Sequence, residues 1–360
     1  MNKTISVALA TYNGEKYLQE LLESLAKQTY LPFELIISDD NSSDKTIAII
    51  EKFSKTAPFN VIVIKNKLQL GVIKNFAKAF GNTNGELIAY CDQDDIWHKE
   101  KLAKCVTHFS NPSVKLSMHR SEVVNDKLQP LGYCIPEKNE IEIGETVFPS
   151  STDMTYGLGH QMLFDRASYQ NFEWIFNNEY VSLQTIAENY DILIRFIAGM
   201  NGSIVNIEDT LVKFRRHDTA TSDAGLTDKS SEAVSGFLGK KPDDYARQAN
   251  EFTNIADTIE VHVIPKMKKY KVKLTKYCCF LKKRAHLIDL RSTIYSSDSL
   301  FQRCKAYIKL IFKKAYILKS RGGFGKKALL VDIFVSCFGL KGAQKIIAIK
   351  SLIGKKNSYS

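Results

Sequence analysis

The first hundred residues switch repeatedly between two periods. "ISVALAT" (5–11) alternates into a strand, and "YLQELLESLAKQ" follows with Leu18, Leu21, Leu22 and Leu25 at helical spacing. "FELIISDD" reads as a second strand, and "SSDKTIAIIEKF" as a helix opened by Ser and Asp capping residues. "NVIVIK" is a third strand, "GVIKNFAKAF" a helix with Val72, Phe76 and Phe80 on one face, and "GELIAYCD" a fourth strand. Three successive strand–helix units with nearly unbroken apolar strands predict an α/β domain with a parallel sheet covered on both faces. Ligands of such sheets lie beyond the carboxyl ends of the strands. Those ends read "TYNG", "SDDNSSD" and "CDQDD", so acidic clusters converge on one edge.

The pattern is less regular over 111–220. It predicts a helix around "LQTIAENYDILIRFIAGM" and two strands, "GSIVNIE" and "TLVKFRRH". The polar stretch 222–236, "SDAGLTDKSSEAVSG", reads as a linker between a body (1–221) and a basic helical region (237–360). Within that region Ile308, Ile311, Phe312, Ala315 and Leu318 share a helical face, with Lys305, Lys309 and Lys313 mostly on the other. A short helix of this kind is expected at a membrane surface, or else packed on the main domain. The longest apolar run, "ALLVDIFVSCFGL", falls short of the roughly 20 residues of a spanning helix and contains Asp332. The N-terminus has no long apolar region or cleavage site, so no signal peptide is expected.

Charge changes the picture more than composition does. At 360 residues, 44% hydrophobic and 25% charged, the chain is of ordinary globular make-up. Its net charge of +11 is unevenly spread. Residues 261–360 hold 24 Lys and Arg against three Asp, while residues 1–260 are net acidic. A basic tail on an acidic body suits an anionic surface, nucleic acid or membrane. Seven cysteines form no CxxC pair and no zinc-ligand spacing, which points to reduced thiols in a cytosolic compartment.

Candidate chemistry centres on "DQDD" (92–95). At the end of a strand Asp92 and Asp94 point the same way, because the side-chain period is two. Paired carboxylates at a solvent edge suit a hard divalent cation that bridges phosphate oxygens, or simply an acidic turn that caps the next helix. In "SDDNSSD" Ser42 or Ser43 can cap a helix, while Asp40 can accept a hydrogen bond from the imide of a nucleotide base on which Tyr12 stacks. There is no G-x-G-x-x-G after the first strand and no G-x-x-x-x-G-K-[ST], which disfavours a nicotinamide dehydrogenase or a P-loop ATPase.

The segments "SVALATYNGEKYLQELLESLAKQTYLPFELIISDDNSSDKT", "LGVIKNF" and "GELIAYCDQDDIWHKEKL" resemble, in order, the nucleotide-binding half (1–110) of family 2 glycosyltransferases. The resemblance implies the GT-A fold, an inverting transfer from a nucleotide-sugar donor, and Mn2+ or Mg2+ at a DxD-type motif. It implies donor contacts from Ala10, Tyr12, Asp40, Lys74, Asn75 and Asp92, with Asp94 and His217 as metal ligands. More weakly, "GLGHQMLFDR" is similar to the family's acceptor-side segment, which implicates Gly159, His160 and Gln161. "ENYDILIRFIAGMNGSIVNIEDTLVKFRRH" is similar to the stretch carrying the catalytic base. The base would then be Asp191, with Glu188 as the second candidate, and Arg215 and Arg216 would clamp the diphosphate. The expected acceptor is a lipid-linked or cell-surface oligosaccharide at the inner face of the membrane, met through residues 261–360, with no nucleic acid involved. A sugar-phosphate nucleotidyltransferase, or a non-enzymatic protein that binds anionic surfaces or nucleic acid, remains the alternative.

Overall fold

The structure is a computed structural model and describes residues 3–138, 141–147, 158–170, 190–217, 242–316 and 324–356. The chain divides into two compact units, Met1–Ala224 and Gly225–Ser360.

The N-terminal unit opens with β1 (Ile5–Thr11), α1 (Leu18–Ala26), β2 (Glu34–Asp39), α2 (Thr46–Ser54), β3 (Asn60–Lys65), α3 (Val72–Gly81) and β4 (Leu87–Cys91). Strands β3, β2, β1 and β4 lie side by side and parallel, as the apolar runs predict. Successive side chains of β1 part to opposite faces. Ile5, Val7 and Leu9 pack with the leucines of α1 and with Ile50 and Phe53 of α2. Ala8 and Ala10 meet Phe76, Ala79 and Phe80 of α3. Two apolar layers thus hold the sheet between helices and leave its carboxyl edge open.

Beyond β4 come β5 (Ile96–Trp97), α4 (Lys101–Val106), β6 (Val114–Val124), β7 (Pro130–Ile135), β8 (Gly144–Val147), β9 (Met162–Asp165), α5 (Arg166–Gln170), α6 (Tyr190–Asn201) and β10 (Ser203–Arg215). They continue the sheet in the order β4-β9-β6-β10-β5, with β7 on β6 and β8 on β10. Here pairing is mixed: β9 runs antiparallel to β4 and β6, and β10 parallel to β6. Periodicity predicts two strands over 202–217; the structure has one of 13 residues. Its register against β6 shifts on either side of Thr210, where Glu208, Asp209 and Thr210 face solvent, and this polar break mimics a turn. The predicted linker at 222–236 lies outside the described residues, as do Glu188 and Leu318.

The C-terminal unit is helical, with α7 (Pro242–Thr258), α8 (Lys271–Ser296), α9 (Leu300–Phe312) and α10 (Gly325–Lys356), the last kinked at Gly339. Its apolar core joins Tyr245 and Ala249 of α7, Ile288 and Ile294 of α8, Ala306 and Leu310 of α9, and Ala328 and Val335 of α10. Within it lies Asp332, fully buried, which accepts two bonds from Arg291 (2.8 and 2.9 Å), one from Tyr295 Oη (2.7 Å) and one from Tyr316 Oη (2.9 Å). Four donors to one carboxylate satisfy a charge that would otherwise be costly to bury. No helix among the described residues is long and apolar enough to cross a membrane.

Candidate active site

A cleft of about 710 Å³ opens at the carboxyl edge of the sheet. Its lining includes Ala10, Tyr12, Asp40, Asn75, Asp92, Asp94, Gly159, His160, Asp191, Arg215 and His217. Eleven residues singled out from the sequence, drawn from well-separated stretches of the chain, therefore share one wall system. Lys74, Gln161 and Arg216 are not part of that lining.

The donor side is built by β1, β2 and α3. Tyr12 is 43% exposed where β1 ends, so its ring is open to a stacking partner. Its backbone is held by Gln93, whose amide accepts from Tyr12 N (2.9 Å) and donates to Tyr12 O (3.1 Å). Asp40 accepts from Leu70 N (2.7 Å) and Asn66 Nδ2 (3.2 Å) on one oxygen and from Gly71 N (2.9 Å) on the other. Gly71 permits that contact because its φ of 83° lies where other residues are strained. A carboxylate oxygen has room for two bonds, so Oδ2 of Asp40 retains acceptor capacity. Asn75 joins β1 to this network through Thr11 O (3.2 Å) and Asn66 (3.0 Å). Lys74 is exposed on α3. The neighbouring Asp39 serves the scaffold, accepting from Thr11 Oγ1, Ser42 N and Ser42 Oγ.

The acidic centre shows why three carboxylates can stand together. His217 Nε2 lies 2.8 Å from Asp94 Oδ2. His160, fully buried and stacked on Phe214, places Nδ1 3.5 Å from both Asp92 and Asp95 while Nε2 meets Ser121 Oγ at 2.8 Å. Asp95 accepts from Arg215 N (3.0 Å) on Oδ1. Asp95 Oδ2 and His160 Nδ1 have no hydrogen-bond partner among the described residues. Burial, then the Asp94 charge, pushes the Asp92 carboxyl up to about 7, and the same causes drive Asp95 well above the usual range. Burial, then Lys101, pushes His160 down to about 3, so its imidazole is neutral.

Lys101 is the residue that sequence reasoning missed. Fully buried at the start of α4, it donates to His160 O (2.7 Å) and sits 3.1 Å from the centre of the Trp97 ring. Burial lowers its pKa to about 8, and the Asp92 and Asp95 charges act to raise it. The signal was local: a lysine six residues after "DQDD", on a short helix pinned behind that loop. Gln93 was missed because a glutamine between aspartates carries no chemical signature of its own.

Arg215 and Arg216 depart from the expected clamp. The Arg215 guanidinium pairs with Glu20 and donates to Asp94 O (2.8 Å) and Asp126 O (2.6 Å), with Tyr17 stacked at 4.3 Å. It braces the acidic loop. Arg216 is buried, its guanidinium 5.2 Å over Phe214. Gln161 also braces: buried, it donates to Ile135 O and Ser121 Oγ and accepts from Leu158 N. Gly159 is required by close approach, since a Cβ there would lie 2.4 Å from Tyr90 Cζ. Asp191, at the start of α6, accepts from Gly159 N, and burial with the Asp92 charge pushes its carboxyl up to about 7.

The donor set fits a hard divalent cation. Asp94 and His217 offer an oxygen and a nitrogen at the cleft wall, and Asp92, Asp95 and His160 bring further ligand atoms within 4.8 Å of one another.

Residues 6–172 match the family model described as Glycosyl transferase family 2. Over 127 residues the chain is 33% identical to an uncharacterized glycosyltransferase of Nostoc sp., covering 34% of this chain and 38% of that protein. Over 103 residues it is 37% identical to the dTDP-rhamnosyl transferase RfbG of Shigella flexneri, covering 27% of this chain and 35% of that one. The chain thus spans little more than a third of the length of these curated relatives. Among solved structures it is similar to S. aureus TarS, with a TM-score of 0.50 at 20% identity over 78% of this chain and 55% of that one.

Proposed function

We propose that this protein, whose residues 6–172 match the glycosyl transferase family 2 model, is a GT-A glycosyltransferase that moves a sugar, with inversion, from a UDP- or dTDP-sugar to a hydroxyl of a lipid-linked or cell-surface oligosaccharide. One observation carries this reading. An open aromatic (Tyr12), an amide-ringed carboxylate (Asp40), the Asp94–His217 pair and Asp191 meet in one cleft. The name of the Shigella relative supports dTDP as one donor nucleotide.

Tyr12 stacks on the base, and Asp40 takes its imide N–H on the free lone pair of Oδ2. Asp92 faces the ribose or the donor sugar. A bound Mn2+ or Mg2+, held by Asp94 and His217, would neutralise the leaving diphosphate. Asp191 takes the proton of the acceptor hydroxyl on the face opposite the departing nucleotide. Its raised pKa suits a group that must hold a proton near neutral pH. Arg215 keeps the Asp94 backbone in place while this happens. The basic residues 261–360 work at an anionic membrane surface on which the acceptor is displayed.

Titration of the protein with UDP, dTDP, GDP and ADP, each with and without Mn2+, tests the reading. One diphosphate is expected to bind in a metal-dependent manner, and Asp94→Ala should weaken that binding at least about 100-fold, as loss of a charged ligand does. Binding of every diphosphate to the same extent with and without metal would return "DQDD" to an acidic turn.

A further inference from the structure

Helix α9 (Leu300–Phe312) has two faces with different fates. It is capped by Ser299, whose hydroxyl accepts from Gln302 N, and its inner face carries Arg303, Ala306 and Leu310, all buried. Arg303 ties it down by donating to Ser336 O (3.1 Å), Ser297 O (3.0 Å) and Asp298 O (2.8 Å). The packing of the helix is therefore accounted for without its remaining apolar side chains. Those stand open: Phe312 is 83% exposed, Phe301 73%, Leu300 54%, Ile308 51% and Ile311 46%.

At about 100° per residue, Phe301, Ile308 and Phe312 fall within about 40° of one another, a single stripe along the helix. Lys305 lies at the edge of that stripe, its ammonium 5.9 Å from the Phe301 ring, with Lys309 and Lys313 next to it, all three exposed. Isolated exposed apolar residues are ordinary, but a stripe of this kind marks a contact surface. The chemistry of the occupant follows from the two halves of the pattern. It must offer an apolar medium to two phenylalanines and negative charge to a row of lysines, on a stretch (261–360) with 24 Lys and Arg against three Asp. A nucleic acid supplies the charge without the apolar medium.

We propose that α9 is the element that docks the protein on an anionic bilayer. Phe301, Ile308 and Phe312 enter the boundary between headgroups and acyl chains, and Lys305, Lys309 and Lys313 lie among the headgroups. Their long stems let the ammonium groups reach outward while the aromatic rings sit deeper. This deepens the membrane-side reading given above and rests on it.

Sedimentation of the full-length protein with vesicles of phosphatidylcholine, with and without phosphatidylglycerol, tests the proposal. The protein is expected to bind the mixed vesicles. The double variant Phe301→Ser/Phe312→Ser, or Phe312→Ser with Ile308→Ser, should bind them about ten-fold or more weakly, since each buried ring contributes a large apolar area. Lys305→Gln/Lys309→Gln should lose only the preference for phosphatidylglycerol and its salt dependence. Far-UV circular dichroism and binding of the diphosphate in the N-terminal unit should be unchanged in all of them. Wild-type binding that the Phe and Ile variants retain in full would overturn the role of α9 while leaving a membrane reading in place. No binding of wild type to either vesicle would overturn both. Capture of an oligonucleotide in place of vesicles, or self-association that Phe301→Ser/Phe312→Ser abolishes, would assign the stripe to those partners instead.

Discussion

At the scale of single residues, the acidic centre depends on where its positive charge is stored. Three aspartates in four positions repel one another, and the chain answers with Lys101 from within the same short segment. Its ammonium has one carbonyl and one aromatic face as partners, in a pocket closed to water. Burial outweighs the pull of the carboxylates on this ammonium, since its pKa falls to about 8. Lys101→Met should therefore cost the metal-free domain no more than about 1 kcal/mol, because exchanging a buried charge for an apolar side chain of similar length is often neutral. Thermal unfolding measures it, and a fall of several degrees in the midpoint would make the ammonium the counter-charge on which the three aspartates depend. Asp191 poses a separate question, because a carboxyl at the start of an apolar helix could be structural. If it is the base, Asp191→Asn should lower kcat by about 10²–10⁴-fold, the usual contribution of proton transfer, with the donor dissociation constant within about two-fold of wild type. Parallel loss of donor binding and turnover would mark Asp191 as a support of the cleft.

At the scale of elements, legibility followed burial. Strands β1, β2 and β4 are buried end to end, so their apolar runs announce them, and the acidic residues at their ends are placed by the parallel topology alone. Strand β6 is buried at all but Lys115 and Glu122, yet it carries His119, Arg120 and Ser121 in its middle and has no apolar signature. Arg120 and Ser121 are satisfied by tertiary partners, Pro136 O and His160, which no local pattern reports. Strand β10 was legible only in halves, because its exposed centre interrupts the alternation. The end of β10 nevertheless sets the site. Arg215 spreads one guanidinium over Glu20, Asp94 O and Asp126 O, tying α1, the acidic loop and the turn after β6 to one point. A lysine carries the charge but lacks the planar fork. Arg215→Lys should thus leave the circular dichroism spectrum intact while weakening metal-dependent diphosphate binding about ten-fold, the lower end for a residue that orients ligands through another group. Calorimetric titration of the variant with Mn2+ and the diphosphate provides the check. Unaltered affinity would show that the acidic loop holds its shape without this brace.

At the scale of the whole chain, the two units keep different kinds of order. The N-terminal unit is built on a sheet with two apolar layers, and its polar groups gather at one open edge. The C-terminal unit buries its main polar network away from any edge. Asp332 is fully enclosed, with Arg291, Tyr295 and Tyr316 all pointing at it from α8 and the turn after α9. The Asp332 carboxylate, enclosed and saturated with donors, offers no group to a ligand, so its role is to fix how α8 and α10 meet. Removing its acceptor strands a buried guanidinium and two phenols, and the cost of breaking such a set is about 3–5 kcal/mol. Asp332→Ala should accordingly speed amide hydrogen exchange in peptides from 271–316 and 324–343. Peptides from 5–124 should keep their exchange rates and still be protected by Mn2+ with the cognate diphosphate. If Asp332→Ala instead removes that protection, the buried network in the helices and the cleft in the sheet belong to one cooperative system, and a basic helical region that fails to fold would silence the donor site as well.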